Sequence, residues 1–520
     1  MRNLNNRFSS TYAEVYQISN ESLGMGGFSA GIPSQTTTSI SSSALMSYLS
    51  RFNYSYKSLY MFTASFRADG SSKFYGKNRW GYFPSTSVAW NVAEENFWKK
   101  IGLKKYVSNA KLRLSWGLTG NNRVGDFAAL PTYITGKAME YSFNNAFAPG
   151  YIKNNLGNMG LKWETTSQSN IGLDLGFLKQ RIRVTTDLYY KTTNDLLLNA
   201  ELPLSMGFDR VMKNIGKVSN KGLEITIDTE NIKRKDFTWN TSFNISFNKS
   251  EVKALADNQQ SLLNSVGTGP YGFAGDIPSY ISKIGQPMGM MYGHVYEGTY
   301  KYSDFDRVGE AYVLKRGIAK YDMTIQPGYP KYKDLNNDGI IDNYDRTIIG
   351  DGQPKAIGGI SNHFAYKNFE LNIFFQWSLG NDIYNVSKLE MLYPTYNQRE
   401  RNMMAEYANR WTPENPNSDI PLSHMHGNFP SYYSTAVVED GSYIRLKTAS
   451  LTYNLPDKIL KKVSLRSASV VVSGNNLLTF TNYTGLDPES SSFGQTLTPG
   501  YDFAAYPRSR TFNVSLKLGF

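Results

Sequence analysis

The stretch DLNNDGIIDNYD, Asp334–Asp345, is where residue type and spacing in this 520-residue chain point most directly to chemistry. Numbered from Asp334, side chains bearing oxygen stand at loop positions 1, 3, 5, 9 and 12, namely Asp334, Asn336, Asp338, Asp342 and Asp345. Gly339 follows at the position where the chain must turn sharply, Ile340 offers its backbone carbonyl, and Ile341 supplies an apolar anchor. This is the ligand spacing of an EF-hand calcium loop, with Asp in place of the longer Glu at the last position. Four carboxylates this close repel one another, and a hard cation among them relieves that repulsion. The alternative is an Asx-rich turn without metal. A structural calcium ion is the expectation; a calcium sensor is not, because no flanking helix pair is present to turn binding into opening.

Other catalytic arrangements are thin. The chain has four histidines, His294, His363, His424 and His426. His424-Met-His426 lacks a nearby third ligand and reads as loop polarity. There is no Gly-x-Ser-x-Gly elbow, no phosphate-cradling glycine loop and no His-Glu-x-x-His helix. Acidic residues are scattered singly, so no glycosidase pair can be assigned. An enzyme is not expected, and no substrate-contacting residue is singled out.

The elements that must carry the loop are strands. The chain holds 37 Tyr, 28 Phe, 8 Trp and 44 Gly, which suits pleated surfaces punctuated by turns. It has no cysteine, so a disulfide framework and thiolate metal sites are excluded. The formal charge of +12 is not gathered on a basic helix or an aromatic-basic reading module, so nucleic acid is not the expected partner. No run of ~18 apolar residues exists for a membrane helix, but outer-membrane strands need only ~10 residues of alternating polarity. A mean hydropathy of −0.43 is compatible with that.

Phe237–Asn248 shows the alternation most clearly: Phe237, Trp239, Thr241, Phe243, Ile245 and Phe247 share one face, and Thr, Asn and Ser fill the other. Segments 110–117, 182–191, 223–228 and 369–378 repeat it. A soluble β-sandwich also alternates. Against it stand the large aromatics crowding the apolar face and the lopsided connections. Links at 178–181, 231–235 and 367–368 are tight, whereas 119–162, 249–285, 300–356 and 381–440 are long. That asymmetry belongs to outer-membrane barrels, with short periplasmic turns and long outer loops. Period-two matching finds roughly 14 strands. Thr511–Phe520 alternates to the end and closes on an aromatic, as barrel-insertion signals do.

A series of blocks then resembles a known family. FRADGSSKFYGKNRWGYFPSTSVAWNVAEENF (Phe66–Phe97), KLRLSWGLTGNN (Lys111–Asn122) and LKWETTSQSNIGLDLGFLKQRI (Leu161–Ile182) come first. DLYYKTTNDLLL (Asp187–Leu198), NIGKVSNKGLEITI (Asn214–Ile227), GSYIRLKTASLTYNLP (Gly441–Pro456) and SGNNLLTFTNYTGLDPE (Ser473–Glu489) complete the order. Together they are similar to the SusC/RagA-type TonB-dependent transporters of the Bacteroidota outer membrane. The resemblance implies an all-β, antiparallel transmembrane β-barrel of about 22 strands around a plug. Residues 1–520 would supply the C-terminal portion, about 14 of 22 strands, with the plug domain absent and no export signal in Met1–Phe8. A fragment with unpaired edges and no plug would not transport alone. The resemblance further implies import of oligosaccharides or peptides, a SusD-like surface lipoprotein as lid, and the TonB-ExbB-ExbD complex acting through the missing plug. The barrel would sit in outer-membrane lipid, with 300–356 a long extracellular loop ordered by the 334–345 staple. The alternative function is a calcium-stabilised soluble extracellular binding module.

Overall fold

The computed structural model describes residues 2–16, 32–135, 139, 141–148, 150–208, 210–255, 259–266, 278–393, 402–423, 433–463, 465–489, 491–492 and 496–520. Fourteen strands form one antiparallel sheet in strict chain order. They are β1 (Arg2–Tyr16), β2 (Ile32–Tyr56), β3 (Tyr60–Ser71), β4 (Trp80–Asn91), β5 (Val107–Asn121), β6 (Glu164–Phe177) and β7 (Ile182–Asn194). Then come β8 (Lys217–Lys233), β9 (Phe237–Ala254), β10 (Ala356–Tyr366), β11 (Phe369–Leu379), β12 (Tyr443–Asn454), β13 (Ser467–Thr481) and β14 (Thr511–Gly519). Among the described residues β1 and β14 are not paired with each other.

Register explains why the alternation matters. Leu114, Ile171, Leu188, Leu223 and Phe247 lie directly opposite one another across β5 to β9. One residue away, Arg113, Gly172, Asp187, Glu224 and Ser246 form the next row, on the other face. Because side chains alternate with period two, every strand is in step, and a slip of one residue would mix the faces. The apolar face is left open: on β14 alone Phe512, Val514 and Leu516 are 65–76% exposed. Similar exposure recurs at Phe52, Ile171, Leu188 and Phe480 on earlier strands.

The buried cores lie elsewhere, mainly in the loops. One cluster gathers Tyr280, Met291, Tyr384, Val437, Tyr433 and Tyr501 from three different connections. A second gathers Tyr300, Phe305, Tyr321, Tyr329, Tyr332 and Ile341 within one. A soluble sandwich would do the opposite, packing its strand faces and leaving the loops wet. Exposed apolar rows with self-sufficient loop cores are what a lipid-facing wall requires. Aromatic pairs mark the short-turn end of the wall, with Tyr60 stacked on Trp90 and Trp239 on Phe364 at centroid distances of 6.4 and 5.5 Å.

Connections alternate in length. At one end 57–59, 92–106, 178–181, 234–236, 367–368 and 455–466 are compact; at the other, 122–163, 195–216, 255–355, 380–442 and 482–510 are long, 72–79 being the short exception. The expected loops at 249–285 and 300–356 are parts of one connection. Met290–His294 pairs with Arg346–Asp351 in a small sheet of its own and does not join the wall. The turn expected at 231–235 is also tighter, because β8 runs to Lys233.

Candidate functional site

The 334–345 loop is held by its own backbone. Asp334 accepts from the N–H groups of Asn337 and Gly339 at 2.6 and 2.8 Å. Asp338 accepts from the Ile340 N–H and from the Asn336 amide. Asp342 caps a short helical turn through the Tyr344 N–H at 2.7 Å. Asp345 is fully buried and closes the loop, taking the N–H of Leu335 on one oxygen and that of Asp342 on the other, at 2.8 and 2.9 Å. Asn337 and Gly339 both adopt positive φ, 58° and 84°, which makes the sharp turn that Gly339 is suited to. Ile341 is the anchor expected of it, 3% exposed among the tyrosines of the second loop cluster. His294 Nε2 donates to the Asp342 carbonyl at 2.9 Å. Burial lowers the His294 proton affinity, opposed by that carbonyl.

The residues of the expected donor set are thus folded into a compact turn. Among the described residues no three His, Asp or Glu groups converge as a metal cluster. Asn336, Asp338 and Ile340 are exposed and Asp334 and Asp342 half-buried, while Asp345 is committed to backbone N–H groups. His424 and His426 lie outside the described residues.

The polar face of the wall carries the remaining chemistry. Arg113 on β5 forks onto Asp174 at 2.9 and 3.0 Å and reaches Asp187 at 2.9 Å, and Asn170 donates to the second Asp187 oxygen. Gly172 makes room for it: a Cβ there would stand 2.5 Å from the guanidinium carbon. We expect Gly172→Ala to push Arg113 off both carboxylates and to destabilise by about 1–3 kcal/mol, read as a lowered denaturant midpoint. Further round, Arg51, Thr63, Ser65, Arg67, Ser85 and Ser115 line a crevice of ≈ 680 Å³.

Arg445 on β12 is the most buried charge of this face, 2% exposed, and pairs with Asp487 and Glu489 of the 482–510 connection. Burial opposes the charge on Asp487, but Arg445 and the N–H groups of Glu489 and Arg508 outweigh it and hold the carboxyl below its usual range. Both partners lie within blocks visible in the sequence, but nothing in period-two alternation couples a strand residue to a loop residue 42 positions away.

The long connections merge into one roof. Asp382–Asn385 runs antiparallel to Val438–Asp440 and parallel to Tyr501–Asp502. The Tyr280 hydroxyl donates to the Pro499 carbonyl at 3.0 Å, and the Tyr433 and Tyr501 hydroxyls meet at 3.2 Å. The polar wall thus meets a roof of loops packed on one another.

A family profile described as "TonB dependent receptor-like, beta-barrel" matches residues 3–336. TonB-dependent receptor P3 of Formosa agariphila is 35% identical over 491 residues, covering 94% of this chain and 46% of that protein. TonB-dependent receptor SusC of Bacteroides thetaiotaomicron is 31% identical over 485 residues, covering 92% and 44%. Among solved structures, the RagAB peptide transporter superposes with a TM-score of 0.77 at 22% identity, over 100% of this chain and 56% of that one. The closed-closed state of the RagAB peptide importer gives 0.74 at 24% identity, covering 94% and 49%. The chain spans about half the length of the curated relatives it matches.

Proposed function

Because the chain belongs to the TonB-dependent receptor β-barrel family, of the SusC/RagA type, a family of outer-membrane proteins, we propose that it forms wall and outer loops of a nutrient importer. The observation that carries this is the exposed, in-register apolar face backed by a charged and hydroxylated one. The cargo is an oligosaccharide or a peptide, the latter supported by the RagAB likeness. A SusD-like surface lipoprotein covers the loop roof, and TonB-ExbB-ExbD supplies the energy through a plug, in a Bacteroidota-type outer membrane. The soluble binding module is not favoured, since it would leave rows such as Phe512–Phe520 in water. The test is deletion of the whole gene in its native host, followed by growth on oligosaccharides or peptides as sole nutrient. Loss of growth on one class, restored by the intact gene only where TonB is functional, is the expected result. Unchanged growth on every nutrient of both classes would overturn the reading.

The same proposal gives the 334–345 loop a calcium ion that orders the 255–355 connection. Its support is the donor spacing, the positive-φ turn at Asn337 and Gly339, and the exposed carboxylate of Asp338. Calorimetric titration with calcium should release heat, abolished by Asp338→Ala. Absence of heat from the unaltered chain would leave a turn closed by its own N–H groups.

A further inference from the structure

On the outward face the apolar rows end abruptly at the long-loop end. Leu188, Leu223 and Phe247 form the last of them across β7, β8 and β9. One side-chain step further, about 7 Å along the strands, Tyr190, Lys221 and Lys249 stand directly opposite one another. Lys217 and Lys253 follow, and all four lysines are exposed. Glu251 lies on the same face but is engaged by Lys253 at 2.6 Å. Like charges opposite one another destabilise a sheet, and an anion between Lys221 and Lys249 would remove that penalty.

The strand ends also leave a slot. β10 begins opposite Phe247, so from Asn248 onward the edge of β9 meets loop segments and not a strand of the wall, with Gln353 at Ser250 and Gly285–Gln286 at Val252. There lies a crevice of ≈ 550 Å³ lined on its apolar side by Leu188, Leu223 and Phe247 and on its charged side by Lys221, Lys249 and Lys355, with Asp351 also in the lining. From Trp239 to Phe247 the outward face of β9 is apolar but for Thr241, a length matching the ~9–11 residues that cross a bilayer. The lysines therefore stand at headgroup level on the side of the long loops.

We infer that this crevice holds a phosphate-bearing lipid of the outer leaflet, with an acyl chain against Leu188, Leu223 and Phe247 and a phosphate among Lys221, Lys249 and Lys355. Free phosphate would leave the apolar side unused. The inference rests on the lipid-facing orientation of the wall proposed above, and not on what is transported.

The test uses the detergent-solubilised protein and native mass spectrometry, with lipid A, dephosphorylated lipid A and inorganic phosphate as probes. The protein should retain lipid A, and Lys221→Gln/Lys249→Gln should weaken retention by on the order of tenfold or more. Dephosphorylated lipid A should be held weakly by both. Lys461→Gln/Lys462→Gln, exposed at the short-turn end, should retain lipid A as the unaltered protein does. Heat-modifiable migration on gels verifies that each variant is folded. Equal lipid A retention by the Lys221/Lys249 variant would overturn the site. So would tight binding of the dephosphorylated lipid, or displacement of lipid A by phosphate at comparable concentration. A failed uptake experiment would leave these outcomes unchanged, whereas a wall that does not face lipid would retain neither lipid.

Discussion

Ile227→Arg should destabilise the folded wall by about 2–4 kcal/mol, while Thr226→Arg, one residue away, should change it little. Ile227 lies between Val184 and Phe243, two rows below Leu223 and Phe247 and two above Trp239. That is the middle of the apolar band, where a guanidinium has no water and no carboxylate to meet. Thr226 lies between Thr185 and Asn244 on the opposite face, in the company of Asp187 and Glu224, so an arginine there enters a hydrated, partly anionic surface. Denaturant titration in detergent or lipid reads the difference. Equal losses from the two variants would mean that the two faces share one environment, and the lipid-facing assignment would fail.

The contrast between those neighbours is also why the wall was legible before its structure. Where lipid lies on one side and water on the other, each strand must alternate, and Phe237–Phe247 does so with large side chains. Beyond the bilayer the rule lapses. β9 continues through Lys249, Glu251 and Lys253 to Ala254, residues that look like loop because nothing apolar is required of them. β2 likewise starts in a serine- and threonine-rich segment from Ile32. The long connections hid their organisation for a related reason. Met290–His294 and Arg346–Asp351 pair with each other, so spacing alone placed two loops where one folded connection stands. The 334–345 loop was legible as an Asx-rich turn; which N–H groups each carboxylate captures was not, as the buried Asp345 with its Leu335 and Asp342 partners shows.

Arg445→Ala should be among the most damaging single changes outside the apolar band, at about 3–5 kcal/mol. The guanidinium donates to Thr479 at 3.0 Å, to Glu489 at 2.9 Å and to Asp487, and so rivets the 482–510 connection to β12 and β13. Asp487 is only 6% exposed; its other hydrogen bonds, from the N–H groups of Glu489 and Arg508 at 2.9 and 3.0 Å, leave its charge uncompensated once Arg445 is gone. Lys447 and Arg508, both within 3.1 Å of Glu489, can answer that carboxylate but not the buried one. The loss should travel. Tyr501, further along the same connection, packs in the roof with Tyr280, Tyr384 and Tyr433, so a loosened 482–510 segment frees the 380–442 connection as well. Limited proteolysis should then cut both connections faster in Arg445→Ala, with a lowered melting temperature in detergent. Arg445→Met/Asp487→Asn removes both charges and keeps most of the volume, and should recover much of the loss. If Arg445→Ala melts as the unaltered protein does, the roof is held by its tyrosine core alone. If the double variant is no better than the single one, shape and not charge fastens the connection.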